Sequence, residues 1–199
     1  MASSTWSGTI GFGLVNVPVK MYVAVGEKRV RFNTLSRATG TRVKSPYIDE
    51  VSGQVLTKDQ TIRGYEYAKG KYVTVEDDEL EALEPKKSKQ IQLLKFVDED
   101  EIDALIVSKS YWLGPNEGGQ KGYELLIGAL KEAGKVGIGR YVQSTREYLV
   151  ALRVKDDALL LHQLVWADEV RPVVEHEIAA LRDGAGEITD AERAMATQL

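Results

Sequence analysis

Eleven of the chain's 26 lysines and arginines lie between residues 20 and 71, where only five carboxylates accompany them. That third is therefore +6 in a chain whose net charge is −4. Residues 76–103 carry 11 acidic and 4 basic side chains, and residues 104–199 carry 14 and 11. The chemistry open to such a basic stretch is contact with an anion, above all phosphate. Segregated charge builds a local positive surface on an acidic protein, or it merely solvates exposed loops. The residues alone leave both open.

Other chemistries fare worse. The only histidines are His162 and His176, and there is no cysteine, so thiolate sites, disulfides and cysteine nucleophiles are excluded. His162 lies in an alternating strand pattern and reads as structural. His176, between Glu175 and Glu177, reads as part of a solvated helix face. The clusters Asp77-Asp78-Glu79 and Asp98–Asp103 lack EF-hand spacing and read as solvated charge, with a metal-dependent hydrolase as the reading they would otherwise support. Gly8, Gly11 and Gly13 match neither phosphate-loop motif, and no serine stands in G-x-S-x-G. No catalytic set, metal site or cofactor is expected, and the chain reads as a binding protein.

Strands must position the cations. Val15, Val17, Val19 and Met21 alternate with Asn16, Pro18, Lys20 and Tyr22, which turns Lys20 outward. Pro18 has no N–H to give a ladder, so the strand should be bulged or at an edge there. Arg29–Leu35 alternates as well. Thr41–Asp49 and Gly53–Lys58 are polar and predict a projecting hairpin joined near Ser52-Gly53; Ile62–Glu66 and Lys71–Val75 predict another at Lys69-Gly70. Thr74 is a candidate N-cap for a helix over Glu76–Leu83, with Leu80 and Leu83 inward and Pro85 ending it. Ser88–Phe96 reads as a strand with Ile91, Leu93 and Lys95 on one side, and Asp98–Asp103 opens a short helix. Lys109–Leu113, Val136–Gln143, Glu147–Val154 and Ala158–Leu164 are further strands. Lys121–Ala133 is the clearest helix, with Tyr123, Leu126, Ile127 and Leu130 at i, i+3, i+4 and i+7. Val173–Leu181 is weakly helical, and Thr189 with Glu192 forms a capping box for a last helix. The pattern alone gives α+β or a mainly-β barrel.

The wording of four motifs is more specific. WSGTIGFGLVNVPVKMY (Trp6–Tyr22), IRGYE (Ile62–Glu66), KSYWL (Lys109–Leu113) and LVALRVKDDALLLHQLVWADEVR (Leu149–Arg171) occur in the order they take in the Ku family, which binds broken DNA ends. The chain resembles that family over most of its length. The resemblance implies a mainly-β (α+β) fold, a β-barrel with a projecting β arm and a few peripheral helices. It implies a core over residues 1–171 with a DNA-encircling arm at about residues 37–65. Residues 172–199 would be a C-terminal helical segment, naturally short or truncated, whose last helix stops in mid-pattern.

The function implied is sequence-independent binding of double-stranded DNA ends by a ring-shaped homodimer. It would protect ends and recruit an ATP-dependent DNA ligase in non-homologous end joining. One subunit with a radius of gyration of about 16 Å is too small to enclose a duplex, so two arms related by a two-fold must meet. A binder of any end avoids base edges and places Lys and Arg against phosphate. The candidates are Lys20, Arg29, Arg31, Arg37, Arg42, Lys44, Lys58, Arg63 and Arg146. Ser45-Pro46 stands where relatives often keep further cations. The alternative is a non-catalytic barrel whose basic arm meets an acidic protein. No run of 18 apolar residues occurs and the N-terminus lacks a signal-peptide pattern, so no membrane association and a cytoplasmic, nucleoid-associated location are expected.

Overall fold

A computed structural model describes residues 3–26, 28, 30–83, 88–173, 178, 186 and 188–197. Its strands are β1 (Trp6–Phe12), β2 (Val15–Val23), β3 (Tyr47–Ile48), β4 (Val55–Leu56), β5 (Arg63–Ala68), β6 (Lys71–Val75), β7 (Gln90–Asp98), β8 (Val107–Pro115), β9 (Lys135–Gln143), β10 (Arg146–Lys155) and β11 (Ala158–Leu164). The α-helices bounded by described residues are α1 (Asp77–Leu83), α2 (Gln120–Ala133) and α3 (Asp190–Ala196). Seven strands close into a barrel in the order β1-β2-β8-β11-β10-β9-β7, and β3-β4 and β5-β6 are separate two-stranded hairpins. This is the mainly-β barrel with a projecting arm that the resemblance implies.

The barrel closes through a short parallel contact, Thr9 with Gln90, Ile10 with Ile91 and Gly11 with Gln92; its other pairings are antiparallel. Alternation turns Ile10, Val17, Val19, Met21, Ile91, Leu93, Leu113, Leu152, Leu159 and Leu161 inward as one core. Helix α2 shuts one end with Tyr123, Ile127 and Leu130. The Tyr123 hydroxyl donates to Leu113 O at 2.7 Å and accepts from Leu159 N at 3.0 Å, tying the helix to the facing pair of β8 and β11. Strands β10 and β11 read as near-continuous apolar runs because both faces are covered. Residues 99–106 form a strap of two short 3₁₀ turns outside the barrel. Beneath it Val136, Ala151 and Leu164 make a second cluster with Ile102, Ile106, Ile138 and Leu149.

Pro18 shows how the closed sheet absorbs a proline. Its carbonyl accepts from Asn116 N at 2.9 Å, so its bonding side faces the end of β8. The N–H it lacks is replaced there by Gly119 N, which donates to Asn116 O at 2.8 Å. The ladder ends at this point, although β2 is flanked by strands on both sides.

Several local expectations are corrected. Among the described residues of 29–35 no strand forms; Leu35 makes one isolated bridge with Arg42, and Phe32 is 90 % exposed. Alternation was present, but no neighbouring strand satisfies it. Thr74 stays in β6 opposite Gly64, and the Glu76 N–H is taken by the Glu79 carboxylate at 3.0 Å, so Thr74 is not the cap of α1. Leu83 is 81 % exposed, because α1 has no core to pack on. A register shift between Leu93 and Lys95 brings Phe96, not Lys95, inward against Phe12. The short helix expected to open at Asp98–Asp103 is a pair of 3₁₀ helices, Glu99–Glu101 and Ala104–Ile106. Pro85, His176 and most of Val173–Leu181 lie outside the described residues.

Candidate nucleic-acid interface

The arm is the chain between the end of β2 at Val23 and the start of β7 at Gln90. Its turns are specified locally. Gly40, Gly53 and Gly70 take φ of 65°, 69° and 70°, a region open to glycine. At the tip of the β3–β4 hairpin the Asp49 carboxylate accepts from Ser52 N at 2.6 Å and from Val51 N at 3.1 Å. The Ser52 bonds hold that carboxyl below its usual range, and the Val51 N–H adds to the effect. No described residue of 28–74 is buried. Val51, Tyr47, Ile48, Val55, Tyr65, Tyr67 and Tyr72 are exposed on two-stranded hairpins that have no core of their own. An isolated hairpin is marginally stable in water, and these side chains leave its apolar surface open to solvent.

The candidate cations divide between the arm and the barrel. Arg37, Arg42 and Lys44 lie on the first arm loop, where Ser36 N donates to Thr41 O and Val43 N to Thr34 O; all three are exposed. Arg31 is exposed before that loop, and Lys58 sits on a 3₁₀ turn after β4. Arg63, on β5, has Asp77 of α1 at 3.7 Å with both side chains exposed, which offsets part of its charge. Arg29 lies outside the described residues. Lys20 and Arg146 belong to the barrel, on β2 and at the β9–β10 turn, both at the end from which the arm leaves. The structure thus sets Arg37, Arg42 and Lys44 on one exposed loop, keeps Lys20 on a strand as expected, and sets Lys58 and Arg63 beside acidic neighbours Asp59 and Asp77.

Lys20 stands on a polar face that the charge count misses. Ser7 and Thr9 of β1, Asn16 of β2, Gln90 and Gln92 of β7 and Arg140 of β9 point outward with it. Gln90 Nε2 donates to Asn16 Oδ1 at 2.8 Å, and Asn116 Nδ2 reaches Ser7 Oγ at 3.4 Å. Glu147 is held by Arg140 at 3.4 Å. Alternation in β1, β2 and β7 put these amides and hydroxyls outward from the start; what it could not give was the side-by-side order of the strands.

The other half of the barrel exterior, under the strap, is different in kind. His162 Nε2 accepts from Arg153 Nε at 3.1 Å, so its proton is on Nδ1, which donates to Ser110 Oγ at 2.8 Å. Arg153 also binds the Glu99 carboxylate. Burial pushes the His162 pKa below its usual 6.5, and the adjacent Arg153 pushes it further. An imidazole that donates to the serine is not placed to take its proton, so this is a structural chain. Asp98 accepts from Lys135 Nζ at 2.6 Å and anchors the strap's start; that bond raises the Lys135 pKa. Among the described residues no cluster of three or more His, Asp or Glu could hold a metal ion.

The Ku70/Ku80 beta-barrel domain family matches residues 11–196. The chain belongs to the Ku family. It is 39 % identical over 199 residues to the non-homologous end joining protein Ku of Koribacter versatilis, covering 100 % of this chain and 67 % of that protein. The Ku of Archaeoglobus fulgidus is 38 % identical over 172 residues, covering 86 % and 68 %, and that of Bacillus subtilis 34 % over 171 residues, covering 85 % and 55 %. In none of these does the Ku match extend over the relative's full length. Among the described residues no helix is long and apolar enough to cross a membrane.

Proposed function

We propose that this chain binds the ends of double-stranded DNA without reading their sequence, as a two-fold homodimer whose paired arms close a ring. It protects ends and presents them to an ATP-dependent DNA ligase in non-homologous end joining, working in the cytoplasm on nucleoid DNA. The reading takes the barrel core as residues 1–171, the encircling part of the arm as about residues 37–65, and a C-terminal helical segment as residues 172–199. One observation carries it: an arm with no buried residue among those described over 28–74, bearing exposed Arg31, Arg37, Arg42, Lys44 and Lys58 beside exposed apolar side chains. Cations on an extended arm reach phosphates around a duplex, and the apolar side chains supply a self-complementary contact for the partner's arm. Lys20, Arg63 and Arg146 extend the phosphate contacts to the arm root, with Arg29 assigned on its sequence position. Nothing in the reading requires catalysis, a metal or a cofactor.

The test is a gel shift with linear, hairpin-capped and covalently closed circular duplexes of equal length at moderate salt. Linear DNA should bind, capped ends should impede loading, and circles should not bind. Equal retention of circles and linear DNA would refute threading onto an end. Sedimentation of the free protein should give two copies.

A further inference from the structure

We infer that Asn16 and Gln90 form an uncharged contact for the DNA backbone beside Lys20, an inference that rests on the DNA-binding reading. The two amides are joined across an intervening strand. Gln90 on β7 reaches over Gly11 of β1 to donate from Nε2 to Asn16 Oδ1 on β2 at 2.8 Å. A Cβ at position 11 would lie 2.0 Å from Gln90 Nε2, so the crossing depends on that glycine. The bond uses one N–H of Gln90 and one lone pair of Asn16. Two N–H groups of Asn16 and one of Gln90 remain, on a face where Asn16 is exposed and Gln90 half-exposed.

Asn16 lies four residues before Lys20 on the same outward row of β2, about 13 Å along the strand. A duplex backbone lying along that row meets the lysine and then the amides. Neutral side-chain amides are ordinary donors to phosphate oxygens and carry no base information when the ligand is the backbone. Their mutual bond fixes both rotamers beforehand, which lowers the ordering cost of contact. Neither side chain serves the core, since the row faces away from Ile10, Val17 and Ile91.

Neutral and charged contacts leave different signatures. A lysine on a phosphate releases a counterion and contributes about 0.9 to the salt slope, whereas an amide contributes affinity without slope. Binding of a linear duplex is measured across a salt series for the wild-type chain, Asn16→Ala/Gln90→Ala, Gln90→Glu and Lys20→Ala, with melting temperatures for each. The double alanine variant should bind about tenfold more weakly at every salt with an unchanged slope, and Lys20→Ala should lower the slope by about one for each lysine lost. Gln90→Glu keeps a bond to Asn16, whose amide can donate to the new carboxylate, and should also weaken binding. Wild-type affinity in the double variant overturns the assignment, as does a loss that follows melting temperature and spares Gln90→Glu. In either case a normal Lys20→Ala response leaves the DNA-binding reading intact; wild-type protein that retains no linear duplex overturns both.

Discussion

Replacing Arg37, Arg42 and Lys44 together with alanine isolates the arm's electrostatic part in binding. All three are exposed on one loop, and no carboxylate lies within ion-pair distance of them among the described residues. Among the described residues, their substitution therefore removes charge without orphaning a partner or opening a cavity. If each meets a phosphate, a homodimer loses six contacts, and the slope of log Kobs against log salt becomes shallower by about 5. Between 50 and 200 mM salt that difference amounts to about three decades in affinity, far beyond error in a fluorescence-anisotropy titration. The loss should be uniform across duplex sequences, because phosphate contacts position the protein without reading bases. Melting temperature should hardly move, since surface substitutions away from packing are usually within about 0.5 kcal/mol. A variant with the wild-type slope would show that these residues do not face phosphate, and the arm would then need another ligand. A loss confined to particular sequences would contradict backbone recognition itself.

Three further outcomes test the barrel. Tyr123→Phe conserves volume but leaves Leu159 N–H and Leu113 C=O without the hydroxyl between them, and should cost about 2–4 kcal/mol in urea unfolding; a change under about 0.5 kcal/mol would refute the tether. Gly139→Ala places a Cβ 2.3 Å from Gln92 O, a backbone atom, and should cost about 3 kcal/mol, whereas Gly128→Ala, with nothing within 4 Å in mid-helix, should gain about 0.5–1 kcal/mol; thermal melts of the pair must move in opposite directions. Because the His162 pKa lies below 6.5 in the folded chain, it adds no pH dependence well above that value. Stability should fall as pH drops from about 6.5, where the unfolded chain takes up the proton first, until the lower folded pKa is reached. His162→Gln should flatten that part of the curve, and identical urea midpoints for both proteins from pH 7.5 to 5 would remove His162 from the account.

The sequence by itself determined the family, the barrel strands and their inward faces, except where the register shift in β7 turns Phe96 inward in place of Lys95. Val17, Val19 and Met21 alternate with polar residues, and burying them admits one register, because a one-residue slip would turn every apolar side chain to water. Glycines at 40, 53 and 70 and the Asp156-Asp157 turn set the hairpins locally, through backbone conformations few other residues adopt. Helix α2 was legible from its apolar spacing and from Gly134, which ends it at φ 61°. Tertiary structure alone decided which strands stand side by side, because pairing between β1 and β7 joins residues about eighty positions apart and leaves no local trace. That pairing lets Gln90 reach Asn16, and the parallel absence of a neighbour leaves residues 30–34 without the strand their alternation suggested. The same limit applies to charge. Sequence locates the cations in one third of the chain, but whether Arg63 meets a phosphate or Asp77 depends on how the arm folds back on α1.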